Sequence, residues 1–251
     1  MRYLVLSDIH ANYQGLEAVL RHARRKRFQR ILFLGDAVGY GASPNRVLDW
    51  LRSFGGRVIC VRGNHDRVCC GLDSAEYFNR YARQAARWTL DHLNSANLAY
   101  LRSLPTGPKV VENGLMVCHG SPLDEDEYLF SAGEAKAVLG AVSERVVLFG
   151  HTHVPLAFVS QQVDGRRVLR TLLISGARTV LDLDPGQAYL INPGSVGQPR
   201  DRDPRAAYAI YDHDKHRLYH YRVPYKVEEA RRRIRQAGLP PVLGDRLVYG
   251  A

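Results

Sequence analysis

RYLVLSDIHANYQGLEAVLRHA, residues 2–23, opens on a short apolar run, breaks at the polar residues Ser7, Asp8 and His10, and then changes period. Leu16, Val19, Leu20 and Ala23 recur at i, i+3, i+4 and i+7, the spacing of one face of a helix. A strand that feeds a polar loop and then an amphipathic helix is the building unit of α/β folds. RILFLG, RVICVRG, LMVCHG and RVVLFG repeat its first half, each an apolar run ending in polar residues, and helical patterns separate the first three runs of the chain. In such folds the loops at the carboxyl ends of the strands gather on one edge and carry the chemistry.

The 251 residues can bury a sizeable core, and a composition of 45% hydrophobic and 24% charged residues excludes long disordered segments. No run approaches the roughly 18 apolar residues of a membrane helix, and Asp8 ends the N-terminal apolar stretch too early for a signal peptide. The expectation is a cytoplasmic chain that starts at Met1, with no membrane partner. Cys60, Cys69, Cys70 and Cys118 have no paired CxxC spacing, so neither a structural zinc nor a disulfide framework is expected. Reduced, partly buried thiols fit better, since a disulfide between the adjacent Cys69 and Cys70 would be strained. The formal net charge of +10 is concentrated in RHARRKRFQR, RDRDPR and RRRIR. A basic field attracts small phosphorylated substrates and nucleic acid alike. In the first and third clusters, however, helical spacing places the arginines on a solvated face, opposite Val227, Ala230, Ile234 and Ala237 in the latter.

Between about residues 72 and 108 the pattern becomes helical, first SAEYFNRYARQAARWTLDHL with Ser74 as its N-cap, then NSANLAYLRSLP. This stretch interrupts the strand series and reads as a cap, on which Tyr77, Phe78 and Tyr81 offer rings for stacking or for packing. After His153 come LAFVS, RVLRTLLIS, AYLINPGS, AYAIYD and RLYHYRV, with turns such as VDGRR and DHDKH, suggesting a second sheet. A helix and a Gly/Pro-containing tail, residues 225–251, close a single α/β domain of two packed sheets flanked by helices.

Five of the ten histidines, His10, His65, His119, His151 and His153, follow strand-like runs, beside Asp8, Asp36 and Asp66. Singly each is an ordinary loop residue. Together, at the ends of successive strands, they are more ionisable groups than packing has use for. In LFGHTHVP, residues 148–155, the two histidines stand one residue apart and so point to the same side of an extended chain.

The order of SDIH, LGDAVGYG, RGNHD, VCHGS and FGHTH resembles the calcineurin-like metallophosphoesterase superfamily, and INPGSVGQPRD, residues 191–201, looks like its small bacterial and archaeal phosphodiesterase branch. The resemblance implies a four-layer sandwich and a two-metal site: Asp8, His10 and His153 on the first ion, Asn64, His119 and His151 on the second, Asp36 bridging. Mixed imidazole and carboxylate ligands suit divalent or mixed-valence transition metals such as manganese, iron, zinc or nickel. Two such ions outweigh the charges of Asp8 and Asp36, so an anionic phosphoryl group is the natural guest. The implied reaction is attack on phosphorus by a metal-bridging hydroxide. His65, free of metal in this assignment, would serve as donor to the transition state or leaving oxygen, with Asp66 either supporting it or capping the loop. Arg200, Arg202 and Arg205 are expected anchors for a second phosphate or an anionic leaving group.

The expected activity is hydrolysis of a phosphomono- or phosphodiester of a small, nucleotide-like molecule, dinucleoside polyphosphates included. A nuclease using the same centre is the alternative, although 251 residues leave no obvious separate nucleic-acid-binding domain. A non-catalytic interaction scaffold is disfavoured by the presence of His65 and a full ligand set. An amidohydrolase is disfavoured because its HxH pair belongs near the chain start. The branch also allows a homo-oligomer.

Overall fold

The structure is a computed structural model describing residues 1–164 and 166–251. The opening unit forms as its pattern indicates: β1 (Arg2–Leu6) passes through a buried loop into α1 (Tyr13–Ala23), where Leu16, Val19 and Ala23 are fully buried. The unit recurs as β2 (Arg30–Phe33) with α2 (Pro44–Ser53), and as β3 (Val58–Cys60) with the short α3 (Asn64–Cys69). Next come α4 (Arg80–His92), α5 (Ser95–Arg102), β4 (Lys109–Glu112), β5 (Leu115–Val117), α6 (Ala132–Ala141) and β6 (Val146–Leu148). Strands β7 (Leu156–Val163), β8 (Arg166–Leu173), β9 (Arg178–Asp182), β10 (Ala188–Asn192), β11 (Ala206–Asp212) and β12 (Arg217–Val223) precede α7 (Val227–Gln236) and α8 (Pro241–Tyr249). Gly165, in the expected VDGRR turn, lies outside the described residues, whereas DHDKH joins β11 to β12.

Among the described residues two six-stranded sheets form, in the orders β3-β2-β1-β11-β12-β9 and β4-β5-β6-β10-β7-β8. The expectation that the later strands make a separate second sheet is corrected here. β9, β11 and β12 complete the sheet begun by β1, while β4 to β6 open the other, so the chain crosses between layers. The physical reason is edge protection: β1 gains an antiparallel partner in β11 from Arg2↔Asp212 to Val5↔Ala209, and is buried on both sides.

Period-two alternation sets the layers. Tyr3 and Val5 of β1, Ala209 and Tyr211 of β11, Val146 and Leu148 of β6, and Tyr189 and Ile191 of β10 meet between the sheets. The intervening Leu4, Leu6, Tyr208 and Ile210 face outward onto α1 and α2, and Val147 and Leu190 face outward onto α6. Helices, sheet, sheet and helix make four layers.

Two end-of-element expectations are corrected. The first helix after residue 72 begins at Arg80, not near Ser74, because the Asn79 side chain accepts from the Tyr81 and Ala82 amides while Ser74 is itself held by Asp73 Oδ1. The C-terminal tail is a helix, opened by Pro241 in its first turn and closed by Gly250 at φ 64°. α4, α7 and α8 share a cluster with Tyr40, where Ala82, Ala85, Ala230, Ile234, Leu243 and Leu247 are buried. That cluster braces one flank of the edge where strand ends meet.

Candidate metal centre

β1, β2 and β3 run parallel in one sheet, and β5, β6 and β10 run parallel in the other. Their carboxyl ends converge, so the loops carrying Asp8 and His10, Asp36, Asn64 and His65, His119, His151 and His153, and residues 193–198 crowd one edge. Backbone bonds lash these loops together: Asp8 N–H donates to Gly35 O, His10 N–H to Asp36 O, and Gly197 N–H to Asp8 O, each at 3.0 Å. Asp8, His10, Asp36, His151 and His153 all have φ between 48° and 66°. Such left-handed conformations cost on the order of 1 kcal/mol or more each for non-glycine residues, and clustered strain of this kind marks sites held for a purpose.

Two groups of side-chain donors come within 4.8 Å of one another: Asp8, His10, Asp36 and His153, and Asp36, His119 and His151. Asn64 joins the second group, its Oδ1 lying 3.2 Å from His119 Nε2. Asp36 belongs to both, its Oδ2 lying 3.5 Å from His10 Nε2 and 3.4 Å from His119 Nε2. His65 N–H holds the other oxygen of Asp36 at 2.9 Å, and Oδ2 has no hydrogen-bond donor. A Cβ at Gly63 would land on that same carboxylate, so the residue before Asn64 has room only for glycine.

The histidine tautomers identify what the centre is built to hold. His10 Nδ1–H donates to Val38 O, His119 Nδ1–H to Leu34 O, and His153 Nδ1–H to Gln198 O, at 3.1, 2.8 and 2.6 Å. In each ring Nε2 is thereby turned inward. His151 is reversed, its Nε2–H donating to Asp126 O at 3.1 Å and leaving Nδ1 for the centre. His10 Nε2 and His153 Nε2 then face each other as two acceptors 3.1 Å apart. Burial keeps both rings neutral, well below the ordinary histidine range. Two bare lone pairs and an orphaned carboxylate oxygen repel unless a cation lies among them, so the residues fit metal ions.

Charge within the centre agrees. Burial alone would raise Asp36, yet the imidazoles of His119, His65 and His10 hold it well below the usual carboxylate range. Burial alone would lower His119, yet Asp36, and then Asp8, push it up to about 10. A proton thus fills part of the place an ion would take. Asp8 is pushed up to about 7 by burial, against the pull of His119.

His65 packs between Tyr40 and Phe78, at 4.4 Å from each ring, with Nδ1 unpartnered, and burial lowers it to about 4. Asp66 does not reach the His65 ring by any hydrogen bond in this loop. Its carboxylate accepts from the amides of Asp36, Val38 and Gly63 at 2.9 to 3.2 Å, the bonds of a loop cap. Of the three arginines, Arg200 lies at the centre: Nη2 reaches Gln198 Oε1 and Tyr40 Oη, and its charge bears on His10, His65 and His153. Arg205 is committed to Asp203 through both Nε and Nη2, so it is not a free anion anchor. Arg202 is exposed, its amide held by Gly250 O.

Sequence reasoning missed Tyr128, whose ring stacks on His151 at 3.8 Å, and Arg67, which ties Asp73, Glu125 and Asp126 together. Nothing near Tyr128 in the sequence marks it, since it arrives from a loop with no motif. Cys69, Cys70 and Cys118 are buried free thiols.

The family model described as the calcineurin-like phosphoesterase superfamily domain matches residues 1–216. A metallophosphoesterase from Sphaerobacter thermophilus, known by crystal structure, is 39% identical with a TM-score of 0.85, over 100% of both chains. An uncharacterized protein of Methanocaldococcus jannaschii is 36% identical over 98% of this chain and 97% of its own. A phosphodiesterase of Escherichia coli is 23% identical over 85% of this chain and 89% of its own. With a family match over most of its length, a relative of the same overall fold along the whole chain and converging donors, the chain belongs to the calcineurin-like phosphoesterase superfamily.

Proposed function

We propose that the protein is a binuclear-metal-dependent hydrolase of phosphomono- or phosphodiester bonds in small, nucleotide-like molecules. The observation that carries this reading is the inward-facing pair His10 Nε2 and His153 Nε2 beside the orphaned Asp36 Oδ2. Asp8, His10 and His153 would hold one ion, Asn64, His119 and His151 the other, with Asp36 shared. Bound there, such ions supply a nucleophilic water of lowered pKa and neutralise phosphoryl oxygens.

The chain's own residues do the rest. His65, neutral in its buried place, presents an imidazole N–H to a substrate oxygen. Arg200 steadies the anion, supported by a buried Nε that has no partner and by the Nε2 of Gln198, a side chain only 1% exposed and likewise unpartnered there. Asp66 positions the loops of Asp36 and His65. Residues 72–108 form a cap beside the centre. The exposed Leu172 and Leu173 on the edge strand β8 support a homo-oligomer.

The test is protein stripped of metal and reloaded separately with manganese, iron, zinc or nickel, then assayed on a monoester, a diester and a dinucleoside polyphosphate. Hydrolysis should need metal and should collapse in Asp36→Asn. Full activity of that variant sinks the two-ion reading. A nuclease would instead lose affinity steeply with salt. That outcome is disfavoured by the C-terminal arginines, since Arg231, Arg233 and Arg235 are already paired with Glu228, Glu229 and Asp245.

A further inference from the structure

A cleft of about 520 Å³ opens directly beside the metal centre, lined among others by Asn64, His65 and His151. It is far larger than a phosphoryl group requires, and it has the size of sites that enclose small organic ligands. Two features of its walls say what enters.

The first is aromatic surface. Tyr40, the adjacent Tyr77 and Phe78, and Tyr128 all line the cleft, brought from three separate places in the fold. Phe78 lies against His65 and Tyr128 against His151, so the rings continue outward from the edge of the centre. Tyr77 stands at the rim, 94% exposed, although its neighbour Phe78 is half-buried.

The second is the absence of a free cation on these walls. Arg67 is the one arginine lining the cleft among the described residues, and its guanidinium is tied to Asp73, Glu125 and Asp126. Arg62 also pairs with Glu125, so two guanidinium charges stand against three carboxylates and leave this side mildly acidic. A second phosphate or a nucleic-acid backbone is therefore repelled from it, whereas Arg200 offers charge near Tyr40.

We propose that this cleft is a subsite for an uncharged planar aromatic group, a nucleobase or an aryl ring, carried by the phosphoryl substrate next to His65. The inference rests on the phosphoesterase reading and names the substrate class for it. Stacking faces recognise any flat π-system, so base and aryl share one chemistry, and the experiment separates them.

Binding and turnover are measured in parallel on the full-length, metal-loaded protein with four probes: AMP, phenyl phosphate, ribose 5-phosphate and methyl phosphate. Saturation-transfer NMR on the purine and phenyl protons reads contact independently of catalysis, and adenosine alone is included as a binding probe without phosphate. The expected result is contact to the ring protons and a KM about tenfold lower for AMP and phenyl phosphate than for their non-aromatic counterparts, in the range that base stacking supplies. AMP ahead of phenyl phosphate assigns the subsite to a nucleobase; equal values assign it to aryl groups in general. Tyr77→Ala should lower the aromatic preference severalfold, and Tyr77→Trp should restore it. Equal KM values for aromatic and alkyl esters, with no transfer to ring protons, overturn the proposal. If neither these monoesters nor the diester and dinucleoside polyphosphate of the metal-reloading assay are hydrolysed, the phosphoesterase reading fails separately, and adenosine contact that is lost in Tyr77→Ala still decides the subsite.

Discussion

At the scale of single residues, a proton stands where a proposed metal ion would sit. With Nδ1–H committed to Leu34 O, the extra proton of His119 sits on Nε2, between Asn64 Oδ1 and Asp36 Oδ2. Loading the centre must expel it. Because His119 is raised to about 10 and Asp8 to about 7, metal uptake at neutral pH should release between one and two protons, and apparent affinity should fall more than tenfold per pH unit as pH drops. Calorimetry in two buffers of different ionisation enthalpy counts those protons; buffer-independent heat contradicts the assignment. His65 lies off the donor set, so His65→Asn should lower kcat by about two to four orders of magnitude, the usual reach of a proton donor, with metal content by elemental analysis unchanged. An unchanged rate removes its catalytic role. The histidines and aspartates were legible because strand-end position and one-residue spacing are local properties. Tyr128 and Arg67 were not, because stacking on His151 and bridging to Glu125 exist only once distant segments meet.

At the scale of elements, chain punctuation is decided by which side-chain oxygen reaches a free amide. Asn79→Ala should lower stability by about 1 kcal/mol through loss of the α4 cap, whereas Ser74→Ala should change it by less than about 0.5 kcal/mol. Chemical denaturation of both variants tests this, and the opposite order would return the cap to Ser74. Gly63→Ala should damage the centre without greatly affecting the sheets, since the added methyl collides with Asp36 and not with the core. Weakened metal binding with a near-native circular dichroism spectrum is the expected outcome. Strands with alternating or continuous apolar runs were readable from the sequence, and so was α1. β9, RTVLD, escaped because as an edge strand it alternates only between exposed and half-buried. α6 carries a readable capping box in Ser131 and Glu134, yet its weakly amphipathic body, AGEAKAVLGA, hides the helix period.

At the scale of the whole molecule, the order of strands was the part that local patterns could not supply, since β1 chooses β11 across more than 200 residues. His220 of β12 reports on that closure: buried, with Nε2–H donating to Pro193 O, it is lowered to about 4 by burial. The unfolded chain takes up a proton near pH 6.5, while the folded chain resists until about 4. Stability from this group is therefore complete above about pH 6.5 and lost as pH falls towards 4, by up to about 3 kcal/mol. Acid denaturation of wild type against His220→Gln should show the shallower pH dependence in the variant, and identical slopes count against the buried neutral ring. The crossing of the chain between layers also sets a timetable for biosynthesis. Until β11 has cleared the ribosome, β1 waits with an open edge, and the loop that holds Asp8 through Gly197 is missing. A nascent chain that has already exposed every proposed metal donor by residue 153 still lacks its clamp, so capture of the proposed ions would have to wait for residues 193–212, and until then the β1 edge stays open to wrong pairing.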